Sequence, residues 1–96
     1  MKVEYTHQAL ADLRKIAADS RLFNEDVALA LELRIRRVVA NIAQHPKAAA
    51  PVAERPGMRV VPLLRYPYKI FYRVMENRVR ILHIRHTARR PWTAKR

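Results

Sequence analysis

Residues 59–90 read Arg59-Val60-Val61-Pro62-Leu63-Leu64-Arg65-Tyr66-Pro67-Tyr68-Lys69-Ile70-Phe71-Tyr72-Arg73-Val74-Met75-Glu76-Asn77-Arg78-Val79-Arg80-Ile81-Leu82-His83-Ile84-Arg85-His86-Thr87-Ala88-Arg89-Arg90. Three short runs of β-branched, aromatic and long apolar residues are separated by two turn signals. At Tyr66-Pro67 the proline removes a ladder donor. At Glu76-Asn77 the asparagine tolerates the left-handed backbone that tight hairpins need. The pattern predicts an antiparallel meander with strands over about 58–65, 68–76 and 78–86, its last strand running into a basic tail at about 87–96. In the middle strand Ile70, Tyr72 and Val74 fall on one face, and Lys69, Phe71 and Arg73 on the other. Val79 to Ile84 is nearly continuous in apolar content, which predicts a central strand covered on much of both faces.

Upstream, Val3 and Tyr5 alternate with Lys2 and Glu4, as a short strand over about 2–5 would. Thr6 suits an N-cap, and the helix after it groups Leu10, Leu13, Ile16 and Ala17, with Asp12 and Lys15 expected outward and an end near Asp19-Ser20. Asn24 is a second N-cap candidate, with Glu25 and Asp26 complementing the helix dipole. The following apolar stripe is Ala28, Leu31, Ile35, Val38 and Ile42, with Arg34, Arg36 and Arg37 largely off it. His45-Pro46 stops the helix. A short loop between the helices predicts an antiparallel helical hairpin over about 7–44. Residues 45–57 form an irregular connection with three prolines and the chain's one glycine, Gly57, at a turn. The expected architecture is α+β: a strand, a helical hairpin packed on one face of a small sheet, and a three-stranded antiparallel meander, all in one domain over residues 1–96.

Composition narrows the function classes. Half of the 96 residues are hydrophobic, which excludes a disordered chain. Without cysteine there is no disulfide framework and no thiolate zinc site. No apolar run approaches the roughly 20 residues of a spanning helix, and no apolar signal region follows Met1, so a soluble, cytoplasmic protein is expected. The net charge of +12 is unevenly placed: residues 1–54 carry +1 and residues 55–96 carry +11, with Glu76 the one acidic residue in the latter. Such a surface suits an acidic protein, nucleic acid, or both in turn.

The order of elements and their residues resemble the RelE/ParE superfamily of bacterial toxin–antitoxin modules, and the ParE branch more than the RelE branch. The resemblance covers nearly the whole chain. It rests on Val3-x-Tyr5-x-x-x-Ala9-x-x-Asp12-Leu13-x-x-Ile16, on the apolar second helix ending in His45-Pro46, and on Arg65-Tyr66-Pro67-Tyr68-Lys69-Ile70-Phe71-Tyr72-Arg73-Val74 followed by Val79-x-Ile81-Leu82-x-Ile84-x-His86-x-x-Arg89. The ParE branch implies a toxin that poisons DNA gyrase by binding and is neutralised by an acidic, ParD-like antitoxin. The RelE branch implies a ribosome-dependent messenger-RNA endoribonuclease. A non-toxic basic nucleic-acid-binding module is the third class.

Ribonuclease chemistry needs a base, an acid and cations around one phosphate. His83 and His86 supply titratable groups, but three residues apart on a strand they face opposite ways unless the strand bulges. The aromatic that several family ribonucleases carry just after the last strand is absent: Thr87 follows His86, and the next aromatic is Trp92. No catalytic residue, cofactor or metal is therefore assigned, and direct nucleic-acid binding is secondary. Candidates for contact with the target are Arg59, Arg65, Arg73, His86, Arg89, Arg90 and Trp92, since arginine and tryptophan are enriched at binding hot spots. The plain alternatives are a strand-end hydrogen-bonded histidine for His86, a solvated tail for Arg89 and Arg90, and a core-edge cover for Trp92. Candidates for the antitoxin contact are Leu13, Ala17, Arg85 and Trp92.

Overall fold

Asn24 decides how the helical half folds. Its side-chain oxygen accepts from the Asp26 (2.7 Å) and Val27 (3.2 Å) amides, capping one helix, while its own N–H reaches Ser20 O at the end of the other. A single extended residue thus ends α1 (His7–Phe23) and begins α2 (Glu25–Gln44). The first helix therefore runs past the expected stop at Asp19-Ser20, and no loop is needed. The computed structural model describes residues 1–87. The remaining elements are β1 (Lys2–Tyr5), β2 (Ala50–Pro51), β3 (Met58–Pro62), β4 (Tyr68–Val74) and β5 (Arg78–His86).

The five strands form one mixed sheet in the order β1-β5-β4-β3-β2. Strands β2 to β5 are antiparallel neighbours, and β1 lies parallel to β5, so the helical hairpin makes the long connection that leads away from the parallel strand. β5 consequently sits inside the sheet, where Val79, Ile81 and Ile84 are buried. They meet Ile70 and Tyr72 of β4, Ala9 and Ile16 of α1, and Leu31, Ile35, Val39 and Ile42 of α2. Each of the valine, leucine and isoleucine side chains among them contributes about 1.5–3 kcal/mol on burial. Leu10, expected on the core side, is exposed, and Ala9 is fully buried in its place. In α2, Val39 joins the stripe, with Val38 half-buried beside it.

The meander departs from its expected limits at both turns. β3 stops at Pro62, because Leu63 to Tyr66 form a turn closed by Tyr66 N–H to Leu63 O (2.9 Å). Arg65 takes φ 83° there, a left-handed value costing a non-glycine residue about 1–2 kcal/mol. Asn77, expected to supply left-handed backbone, does not: among the described residues Arg65 alone of the non-glycines has positive φ. The β4–β5 turn closes instead through Met75 N–H to Arg78 O (2.7 Å).

The connection before the meander is held by side chains of the sheet. Tyr72 donates its hydroxyl to Pro46 O (2.6 Å), and Arg59 donates to Ala49 O (2.7 Å) and Lys47 O (3.2 Å). Burial raises the Tyr72 hydroxyl above its usual 10.0, and the Arg59 guanidinium opposes that rise. Arg73 donates to Pro56 O (3.1 Å). Gly57, at φ 82°, leaves room for it: a Cβ there would stand 2.6 Å from Arg73 Nη1.

Candidate functional site

β1 ends at Tyr5, four residues of pairing after it began, while β5 continues to His86. The upper half of β5 would thus expose backbone groups along one edge, which must be satisfied. The chain turning into α1 does this. Thr6 donates its amide to Ile81 O (3.1 Å) and its hydroxyl to Leu82 O (3.0 Å), and its oxygen also caps α1 by accepting from Ala9 N–H (3.0 Å). One helical turn further, Asp12 Oδ2 accepts the Ile84 amide at 2.9 Å and lies 2.9 Å from His83 Nδ1. Asp12 was expected to face outward; it turns inward because a β5 amide lacks a strand partner. A carboxylate only accepts, so Nδ1 of His83 carries the proton in this pair.

A register irregularity lies beside this pair. Phe71 opposes His83 and Tyr72 opposes Ile81, which leaves Leu82 as the extra residue of a bulge. His83 and His86 both follow that bulge and pair with Phe71 and Tyr68, so they keep to opposite faces. Both nevertheless border one cleft of about 550 Å³ at the edge of β5 that β1 leaves uncovered, together with Asp12, Lys15, Tyr68 and Arg85. Tyr68 meets His86 edge to face, with ring centroids 5.2 Å apart and planes at 81°. Sequence reasoning made a bulge the condition for bringing the two histidines together; the bulge observed lies before both of them, and they meet the cleft across the edge of β5 instead. Asp12 itself was missed as a site residue. The available signal was its spacing, three after Ala9 and four before Ile16, the two buried positions of α1.

The cations are distributed differently. Directly paired residues share a sheet face, so Lys69, Arg73, Arg80 and Arg85 lie on the face away from the core set Ile70, Tyr72, Ile81 and Ile84. Glu4 of β1 pairs in register with Arg80 and bridges it at 2.8 Å and Arg78 at 3.0 Å. Hydrogen bonds from Arg80, then from Arg78, hold the Glu4 carboxyl below its usual 4.5. Of the sheet's cations, Arg85 lines the histidine cleft. Arg59 and Arg73 have their guanidinium groups on backbone carbonyls, and Arg65 stands exposed at the β3–β4 turn. The basic tail, with Arg89, Arg90 and Trp92, lies outside the described residues.

A second cavity opens between α1 and α2. It measures about 610 Å³, with Leu13, Ala17, Leu29 and Ile35 on its walls and Arg14, Arg21 and Arg36 around them. It thus collects Leu13 and Ala17 of the expected antitoxin contact, whereas Arg85 lies in the histidine cleft. Glu25 and Glu32 also border it, and Glu32 is paired with Arg36 at 2.8 Å. At the hairpin tip beside it Leu22 and Phe23 are 88% and 82% exposed. Among the described residues there is no group of three His, Cys, Asp or Glu side chains placed to hold a metal, and no helix long and apolar enough to cross a membrane.

A helical hairpin on one face of a small mixed sheet is the architecture of the RelE/ParE class of toxins. Residues 3–91 match the family described as "ParE toxin of type II toxin-antitoxin system, parDE", and the chain belongs to that family. Among solved structures it is similar to one from the chromosomal ParDE toxin–antitoxin system of P. aeruginosa, at 27% identity and TM-score 0.77, covering 90% of this chain and 95% of that one. The isolated E. coli RelE toxin shares the fold, at 16% identity and TM-score 0.66, covering 93% of this chain and 86% of that one. No curated relative matches the sequence.

Proposed function

We propose that this chain, as a single toxin domain over residues 1–96, acts by binding DNA gyrase and is held inactive by an acidic, ParD-like antitoxin in the bacterial cytoplasm. The observation that carries the partner assignment is the cavity between the helices, whose apolar walls and arginine rim fit an amphipathic segment with acidic flanks. Apolar contact there supplies holding energy, and the cations speed the encounter. The gyrase assignment rests on membership of the ParE family. The ribonuclease alternative is favoured by the cationic sheet face, which suits a phosphate backbone. In support of binding over catalysis, the Asp12–His83 pair is engaged on the Ile84 amide at the α1 edge, and Lys69, Arg73 and Arg80 do not line its cleft.

The purified chain is expected to inhibit supercoiling by gyrase, and its expression without antitoxin to cause filamentation with bulk messenger RNA intact. Cleavage of ribosome-bound messages with gyrase unaffected would establish the ribonuclease reading instead.

A further inference from the structure

The β3–β4 turn carries a conformational cost in an unusual place. Tyr66 N–H closes it on Leu63 O, and the residue at its third position, Arg65, has φ 83°. That position of such a turn belongs to glycine, or to asparagine, because a Cβ crowds the backbone there. A turn selected only to join two strands would carry one of them. Non-glycine residues held in this region cluster where the side chain is used. The neighbouring Leu64 is 67% exposed, while Leu63 on its other side is fully buried and anchors the turn. An apolar side chain and a guanidinium are thus presented side by side on a short, closed turn.

The surroundings define what would bind. Pro62 is paired with Lys69, and Lys69 with Arg85, so two further cations lie at this end of the sheet. Glu76, the one acidic residue after position 54, is at the far end of β4, about 20 Å of strand away. Among the described residues no carboxylate pairs with the Arg65 side chain. The turn is also remote in sequence from α1 and α2, whose cavity is assigned above to the antitoxin.

We propose that the Leu64–Arg65 turn is the element of this toxin that engages its target protein. Leu64 enters a shallow apolar pocket and Arg65 pairs with carboxylates beside it. An acidic protein surface fits better than nucleic acid, because a phosphate backbone gives an exposed leucine nothing to enter, whereas a leucine beside an arginine is a compact protein-binding anchor. The inference rests on the reading of the chain as a toxin that acts by binding.

The test uses Arg65→Gly and Leu64→Asp in the full chain. Glycine relieves the left-handed backbone, so R65G is expected to melt at the wild-type temperature or above it. Its growth arrest on induction, and its inhibition of gyrase supercoiling, are expected to fall by at least about tenfold, as on loss of an interface hot spot. L64D is expected to fall similarly, and both variants to bind the ParD-like antitoxin as the wild type does. A wild type that arrests growth and an R65G that arrests it equally would overturn the turn's role while leaving the toxin reading intact. A wild type that arrests growth without touching gyrase would sink the gyrase assignment, and the growth assay would still judge the turn. Loss of activity by R65G matched by lost affinity for a bare DNA duplex, with L64D unaffected, would assign the turn to nucleic acid and overturn the proposal.

Discussion

Asp12 is the residue whose environment was hardest to foresee. A carboxylate at an apparently outward helical position takes the Ile84 amide because β1 ends before β5 does. Its removal leaves a donor on β5 and the imidazole of His83 without their shared acceptor. Asp12→Ala is expected to cost about 1–3 kcal/mol, the usual penalty for an unsatisfied buried polar group, read as a lower urea midpoint. His83→Ala removes one of the two bonds and is expected to cost less. Glu4 gives a second residue-scale expectation. Its folded-state carboxyl titrates below 4.5, so the stability it contributes is complete above 4.5 and is lost as pH falls through the lower, folded value. The stability difference between wild type and Glu4→Gln should therefore be visible near neutral pH and shrink under acid, measured by denaturation across a pH series. Equal sensitivity to acid in both would show that the bridges to Arg78 and Arg80 do not couple to folding. The candidate arginines divide at this scale as well. Arg59 and Arg73 are tied to backbone carbonyls of the 46–57 connection, so substitutions there affect folding as well as any contact, while Arg65 is exposed on its turn.

At the scale of elements, much was legible because local chemistry acts within one turn of the chain. Thr6 and Asn24 were readable as caps, since a short side-chain oxygen followed by apolar periodicity satisfies orphan amides whatever the tertiary setting. That Asn24 would serve both helices was not readable, because the end of α1 depends on how far its apolar face continues over the sheet. Asn24→Ala removes the side-chain cap of α2 and keeps the N–H that closes α1, so it should cost about 1–2 kcal/mol, read as a lower melting temperature by circular dichroism. The added amide exchange should be confined to the first turn of α2, and equal fraying at the end of α1 would show that the two helix ends are coupled through Asn24. The strand alternation of β4 was readable from its period. The bulge at Leu82 was not, since it follows from the packing of both Ile81 and Ile84 on the same core. His83 and His86 both follow that extra residue and keep strict alternation, and they border one cleft because β1 stops short of this end of β5. The short β2 strand was likewise invisible, as two residues of Ala50-Pro51 carry no periodic signal.

For the whole molecule, the dominant feature is the segregation of charge, +11 after residue 54 against +1 before it. If an acidic antitoxin is the partner, raising salt should slow its association markedly, because exposed charges are screened over about 8–10 Å at moderate ionic strength. Dissociation should change little, since the apolar walls of the interhelical cavity hold the complex. Stopped-flow or surface-binding kinetics over a salt series would measure both rates. Association indifferent to salt, or a complex that falls apart at moderate salt, would mean that the arginines do different work. Leu29→Glu, on a wall of that cavity and clear of the β3–β4 turn, should accelerate dissociation from the antitoxin and leave growth arrest intact. By itself the sequence determined the class of fold, the helical hairpin, the meander and the cationic second half, because periodicity, capping and composition are local properties that survive any arrangement of neighbours. The tertiary structure alone decided that β1 joins β5 in parallel, that the freed edge of β5 draws Asp12 inward, and that the left-handed residue is Arg65 and not Asn77. Those outcomes depend on which backbone groups are left without a partner once the strands have paired, and that is a property of the assembled sheet.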